Sequence, residues 1–446
     1  PNPYFSAVHN DINGDDYANY YYIQVSTDAG FNNLVWNSGK TAMSNTYPGY
    51  RSANITYAGT PIQKGAMYYW RIKFYEDYSG RLLESPWSAT ATFTTNSPPD
   101  IPTLSSPANG ATSVSLKPTL QAVVTDPDAD RMHIRITLCE NEAMYKNCQI
   151  FDQDALGTQA IINGWSANDY ASGETASYTL KYNLSVNTTY YWKLTSQDYT
   201  GSNSVSSPQT TPFSFTTSTQ PYAPSSPLVE GMVNPAGPIN TLTPTFTVTY
   251  TDPDNNSAAY YQLQINTSSD FSGTYLWDSG KVARVVVSGA STTITYPSSG
   301  TNGVAPLAFN GKTYYWRVRF WNNKEVKGSW LSSTGTNPIL PLQFTMASLN
   351  LPTQCYVNKN SNNKLIISWN KNSNPPAVVY NLEKSTNGSN FTTLITTPAD
   401  SSSYTDNSVA ENNTYQYRVR ASDGTNTTSW CTTNPYSLYI GSFIFE

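Results

Sequence analysis

One strand recurs four times along the chain and limits what the chain can become. It reads Tyr68-Tyr69-Trp70-Arg71-Ile72-Lys73-Phe74, then Tyr190-Tyr191-Trp192-Lys193-Leu194, then Tyr314-Tyr315-Trp316-Arg317-Val318-Arg319-Phe320. The last copy is Tyr415-Gln416-Tyr417-Arg418-Val419-Arg420-Ala421, and the period is about 100 to 125 residues. Strand side chains alternate between faces, so Tyr68, Trp70, Ile72 and Phe74 share one face while Tyr69, Arg71 and Lys73 share the other. The spacing predicts one packed face and one wet face in every copy.

A second echo lies upstream. Pro3-Tyr4-Phe5 runs into Asp11-Ile12-Asn13-Gly14-Asp15, then Tyr20-Tyr21-Tyr22-Ile23 and Trp36-Asn37-Ser38-Gly39-Lys40. The third copy matches with Pro244-Thr245-Phe246, Asp252-Pro253-Asp254, Tyr260-Tyr261-Gln262-Leu263 and Trp277-Asp278-Ser279-Gly280-Lys281. The second keeps Pro118-Thr119-Leu120 and Asp126-Pro127-Asp128-Ala129-Asp130. Short alternating runs broken by Ser, Thr, Asn, Gly and Pro predict an all-β chain of two-sheet sandwiches.

Each unit resembles a fibronectin type III or related immunoglobulin-like domain, and the last unit resembles it most. There Leu365-Ile366-Ile367-Ser368-Trp369 is similar to the family's second strand with its core Trp, and Tyr380-Asn381-Leu382-Glu383 to the third. Tyr415 and Tyr417 are similar to the tyrosine signature of the sixth strand, whose first hydroxyl can tie to nearby backbone. The first three units depart from the pattern: they lack the second-strand Trp, carry Trp on the sixth strand, and run longer. The resemblance implies four tandem fibronectin type III-like sandwiches in an elongated array. Linkers at Asn96-Ser97-Pro98-Pro99, Thr217-Ser218-Thr219-Gln220-Pro221 and Ala347-Ser348-Leu349-Asn350 divide it into residues 1–97, 98–219, 220–347 and 348–446. Short Pro-containing linkers imply a fairly stiff rod, roughly 35–40 Å per unit.

Composition narrows the function. The 446 residues carry two histidines and only 12% charged side chains, which leaves little for acid–base or zinc chemistry and predicts a non-enzyme. A formal charge of -5 offers no basic excess for nucleic acid, and no apolar run is long enough to span a bilayer. The start, without an initiator Met or signal peptide, reads as a processed or excised segment.

Three sets of residues are candidates. Cys139 with Cys148, and Cys355 with Cys431, are the pairing that local geometry favours among three connectivities; free buried thiols are the alternative. Asp11, Asn13 and Asp15, then Asp126, Asp128 and Asp130, then Asp252, Asp254 and Asn256 place hard oxygens at alternate positions of one loop. Such loops can surround calcium, or they can be turns capped by their own side chains; no other cofactor is implied. The equivalent Asn370-Lys371-Asn372 is expected to bind none. The aromatic surplus reads as sugar platforms, as subunit belts, or simply as core and wettable strand surface.

The first unit starts at its second strand, so Tyr4 and Phe5 present an open edge. The tail residues Phe443, Ile444 and Phe445 are candidates to fill such an edge in another copy, which would give an open filament. The alternative is a longer repeat protein cut at both ends. The expected function is therefore a structural subunit of an extracellular filament or cell-surface stalk, with copies of itself and cell-surface glycans as candidate partners. A spacer or carbohydrate-binding accessory region of a secreted polysaccharide-active enzyme or adhesin is the competing expectation, and a phage tail appendage a third.

Overall fold

The computed structural model describes all residues except 1–2, 13, 15, 79–80, 156–162, 199–204, 298–303, 335–339 and 439–446. The described residues form strands and turns, with no α-helix. They group into two compact units, Pro1–Thr217 and Ser218–Glu446, and each unit holds two sandwiches.

In the first unit, Ala18–Ser26 and Met67–Tyr78 form the centre of a six-stranded sheet, faced by the two-stranded pair Tyr4–Phe5 and Ile55–Thr56. The next sandwich sets a five-stranded sheet centred on Met132–Cys139 and Thr189–Asp198 against a three-stranded sheet. Thr119–Val123 lies at the middle of that smaller sheet, with Thr103–Ser106 along its edge. In the second unit, Ala258–Asn266 and Thr313–Asn322 build the larger sheet of the third sandwich, against Thr245–Thr249 and its neighbours. Val379–Thr386 and Asn413–Ser422 build that of the fourth, against Leu365–Asn370 and its neighbours.

The recurring strand behaves as its alternation demands. Tyr190, Trp192 and Leu194 are buried while Tyr191 and Lys193 are not, and Thr313–Asn322 repeats the pattern. Trp192 and Trp316 are 0% and 1% exposed, yet Trp70 is only half-buried. The physical difference is cover: no strand equivalent to Thr103–Ser106 pairs with Tyr4–Phe5 among the described residues, so the small sheet facing Trp70 is narrower. Phe5 is nevertheless core, 3% exposed and 4.9 Å ring to ring from Trp70, while Tyr4 points out and is 66% exposed. Of the proposed edge contacts, only Tyr4 is thus available at the surface; Phe443, Ile444 and Phe445 lie outside the described residues.

The leading Tyr of three copies makes the backbone hook that the resemblance implies. Its hydroxyl accepts the backbone N–H five residues upstream: Gln63 to Tyr68 at 2.7 Å, Ser185 to Tyr190 at 3.1 Å, and Ala410 to Tyr415 at 2.8 Å. Tyr314 instead accepts from the Asn310 side chain at 3.0 Å. Each hook satisfies a polar tip on a ring that is otherwise core, so burial carries no unpaired hydroxyl. Tyr415→Phe should lower the stability of the fourth sandwich by about 1–2 kcal/mol, because the Ala410 N–H loses its acceptor; urea unfolding of the variant against wild type checks it.

A charged group anchors that same sandwich from inside. Asp406, 1% exposed, accepts the Tyr417 hydroxyl at 2.8 Å and pairs with the Lys384 ammonium at 3.0 Å. Burial pushes its carboxyl up, but the Ser408 hydroxyl and N–H, with Lys384 and Tyr417, outweigh burial and hold its pKa below the usual range. A lowered folded pKa means stability that is complete above the unfolded value, near 4, and is lost as pH falls through the folded one. Asp406→Ala should cost about 3 kcal/mol at neutral pH. It should also remove part of the acid sensitivity, read as hydrogen-exchange protection of Asn413–Ser422 at pH 7 and pH 3.

Candidate functional site

The acidic loops are built as clasps on the linkers that enter each sandwich. In the second sandwich Asp126 Oδ1 accepts the N–H groups of Asp128 and Asp130, at 2.8 and 3.1 Å, which folds the loop upon itself. Asp128 then reaches back and accepts the linker N–H of Ser97 at 2.5 Å. In the third, Asp252 Oδ1 likewise accepts from Asp254 and Asn256, and Asp254 accepts the Thr219 N–H at 2.6 Å together with the Ser218 and Thr219 hydroxyls. The fourth does this without a carboxylate: Asn374 Oδ1 accepts the Asn350 N–H at 2.6 Å. In the first loop, Asp11 accepts the Gly14 N–H at 2.8 Å, while Asn13 and Asp15 lie outside the described residues. Side-chain capping of a turn is therefore present in the first loop, and side-chain capping of the incoming linker in the other three.

The loops differ in charge. Asp126, Asp128 and Asp130 each offer an oxygen within 4.8 Å of the others, and Asp198, at the end of the recurring strand, adds its charge beside them. Burial, then the neighbouring charges of Asp126, Asp198 and Asp128, push the Asp130 carboxyl above its ordinary range. The third loop has amides at two of these positions, Asn256 and Asn322.

The outer sheet faces carry a second, unforeseen arrangement. The basic residues of the recurring strand are sandwiched between aromatic rings: the Arg71 guanidinium lies 4.1 Å from the Phe31 ring centre and 4.5 Å from that of Trp87. Arg317 repeats this with Phe271 and Trp330 at the same two distances, and Arg418 with Phe391 and Trp430 at 4.5 and 4.4 Å. A side-chain oxygen on the adjacent strand completes each layer: Gln24 for Arg71, Gln264 for Arg317, Glu383 for Arg418. Phe31 and Phe271 both sit at positive φ, 58° and 62°, where a bulky residue is strained. Their turns are held by Asp28 and Asp270. Burial pushes Asp28 up, but the N–H groups of Asn33, Asn32 and Gly30 and the Ser26 hydroxyl overcome it, leaving a pKa of about 2. For Asp270 the Ser268 and Ser272 donors give about 2 as well.

The sequence signal for these layers is a lone Trp after the recurring strand, in Pro86-Trp87-Ser88, Ser329-Trp330-Leu331 and Ser429-Trp430-Cys431. The second sandwich has Pro208-Gln209 instead, and Lys193 donates to Gln209 at 2.6 Å. Cation–π stacking turns the "wet" face into half-buried structure. At Trp87, Trp330 and Trp430 a guanidinium group lies over the half-buried ring.

The cysteines pair within their sandwiches, Cys139 with Cys148 and Cys355 with Cys431. Trp430→Ala should cost about 1–2 kcal/mol of stability, since Arg418 and Arg420 both stack on that ring. The expected readout is an earlier urea midpoint, with Arg418→Ala and Trp430→Ala less than additive in a double-mutant cycle.

A family model described as the Rha78A-like, N-terminal immunoglobulin domain matches the chain twice, over residues 1–97 and 224–336. No curated protein sequence matches. Among solved structures, the FN1–FN3 domains of chicken CNTN1 are similar at 13% identity, over 76% of this chain and 97% of that one, with a TM-score of 0.21. An alpha-L-rhamnosidase from Dictyoglumus thermophilum is similar at 14% identity, over 49% of this chain and 29% of that one, with a TM-score of 0.23. Both chain-wide scores are low, and the fold rests on the strand pairing and the twice-matched domain model. With its paired sheets, tyrosine hooks and internal disulfides, the chain is a tandem array of immunoglobulin- and fibronectin type III-like β-sandwiches.

Proposed function

We infer that this chain is a non-catalytic accessory region of a secreted, polysaccharide-active protein, a spacer of tandem sandwiches beside a partner domain. The observation that carries it is the double match, at the first and third sandwiches, to a domain described by its N-terminal place in another protein. Two further features support it. Intradomain disulfides suit an oxidising compartment, and each linker is hydrogen-bonded to the loop of the sandwich it enters.

A filament subunit is the second reading: among the described residues no further strand pairs with Tyr4–Phe5 beyond Ile55–Thr56, and strand addition there would supply backbone partners.

The purified chain should release no reducing sugar from rhamnose-bearing polysaccharides and should run as a single monomeric species in light scattering. Reducing-sugar release that survives repurification would overturn the accessory reading. Continuous threads in negative stain would transfer the assignment to the filament. In native gels containing polysaccharide, retardation would identify a carbohydrate-binding accessory region, and unchanged mobility a spacer.

A further inference from the structure

The second and third sandwiches provide an internal comparison at one buried point. Their recurring strands end in register, Met132 opposite Asp198 and Ala258 opposite Asn322, so Asp126 corresponds to Asp252, Asp130 to Asn256 and Val124 to Tyr250. In the third sandwich both oxygens of the first loop carboxylate are served. Asp252 Oδ2 accepts from the Asn322 amide at 3.1 Å and lies 3.3 Å from the Tyr250 hydroxyl, while Oδ1 accepts the two loop N–H groups.

In the second sandwich both donors to that Oδ2 have been replaced. Tyr250 has become the fully buried Val124, and Asn322 has become Asp198, itself 1% exposed. Asp126 is 5% exposed; its Oδ1 keeps the two loop N–H bonds, but its Oδ2 is buried with no hydrogen-bond donor. Asp198 cannot act as that donor while ionised, and its own oxygens are taken by the Asn96 amide and the Val205 N–H, both at 2.5 Å. No ion pair involves Asp126, Asp128, Asp130 or Asp198 among the described residues; the adjacent Arg131 and His133 turn away to Asp169 and Asp154. A buried, uncompensated carboxylate oxygen beside three more carboxylates is costly, and a hard cation removes that cost at once.

We propose that Asp126, Asp128 and Asp130, with the charge of Asp198 beside them, bind one calcium ion at the head of the second sandwich, and that the corresponding loop of the third sandwich binds none. Calcium fits better than magnesium because it accepts irregular, carboxylate-rich geometry, whereas magnesium demands a near-ideal octahedron and keeps several of its waters. The oxygens of Asp126, Asp128 and Asp130 all lie within 4.8 Å of one another, inside the span of about 4.6–5.2 Å between opposite oxygens of a calcium ion. Because Asp128 and Asp198 also hold Ser97 and Asn96, the ion would tie the linker between the first two sandwiches to the loop beneath it. The alternative for these residues, a turn capped only by its own side chains, accounts for Asp126 Oδ1 but not for Oδ2.

The test uses the full chain, stripped with EDTA and titrated with calcium chloride in a calorimeter. One site per chain is expected, with a calcium-dependent rise in melting temperature; no heat and no thermal shift at millimolar calcium would overturn the proposal. The double variant Asp130→Asn, Asp198→Asn imports the amides of the third sandwich. It should bind calcium weaker by roughly 100-fold or more and, without calcium, melt no lower than wild type. Binding equal to wild type in that variant would overturn the proposal. If the double variant does not fold, Asp128→Asn alone, at the exposed side of the loop, should weaken binding by about tenfold or more, and an unchanged isotherm would count against the site. Asp252→Asn should leave binding unaltered; loss of binding there would place the ion in the third loop instead.

Discussion

Each sandwich depends on the packing of one strand whose inward positions are nearly all aromatic or aliphatic. Rings such as Trp192, Trp316, Tyr380 and Tyr417 are almost wholly removed from water, and at roughly 25 cal/mol per Å² of apolar surface such burial is the main term opposing chain entropy. An aromatic core of this kind brings polar tips with it, and the hooks at Tyr68, Tyr190 and Tyr415 resolve them by taking up a backbone N–H that would otherwise be buried alone. The fourth sandwich adds Asp406, whose bonds to Tyr417 and Lys384 fix the core in one arrangement. Its core is also continuous with that of the third sandwich: Asp423 accepts the buried N–H of Phe309 at 2.7 Å, and Leu349 donates to the Phe309 carbonyl.

Outside the cores, hydrogen bonds from loops to linkers do a different job. The loops use Asp128, Asp254 or Asn374 to hold the incoming chain, so the clasp can be made by a carboxylate or by an amide. An acceptor oxygen is all that a linker N–H requires. The excess negative charge in the second loop is therefore not explained by the clasp. Its buried oxygen at Asp126 is the feature that sets this loop apart from its relatives in the same chain.

The outer faces show why exposed-looking aromatics need not be binding platforms. Trp87, Trp330 and Trp430 have guanidinium or ammonium groups over their rings, and the Arg residues are further oriented by Gln24, Gln264 and Glu383. These layers stiffen the larger sheet and keep its surface polar. That combination suits a spacer that must resist bending without presenting an apolar strip to its neighbours.

Local sequence determined the all-β class, the fourfold recurrence, the buried face of Thr189–Asp198 and its relatives, the tyrosine hooks and the turn chemistry of the acidic loops. Those features follow from a two-residue period and from side chains that reach backbone a few positions away, so neighbours in sequence suffice. Tertiary structure alone decided that Phe5 is core while Tyr4 is surface, and that Trp430 covers Arg418. It alone placed Asp198, some seventy residues on from Asp126, beside that carboxylate where the third sandwich has Asn322. The physical reason is that a strand end, a loop and a linker meet only when two sheets close upon each other. Whether an oxygen is then served or orphaned depends on the donor that arrives from the far strand.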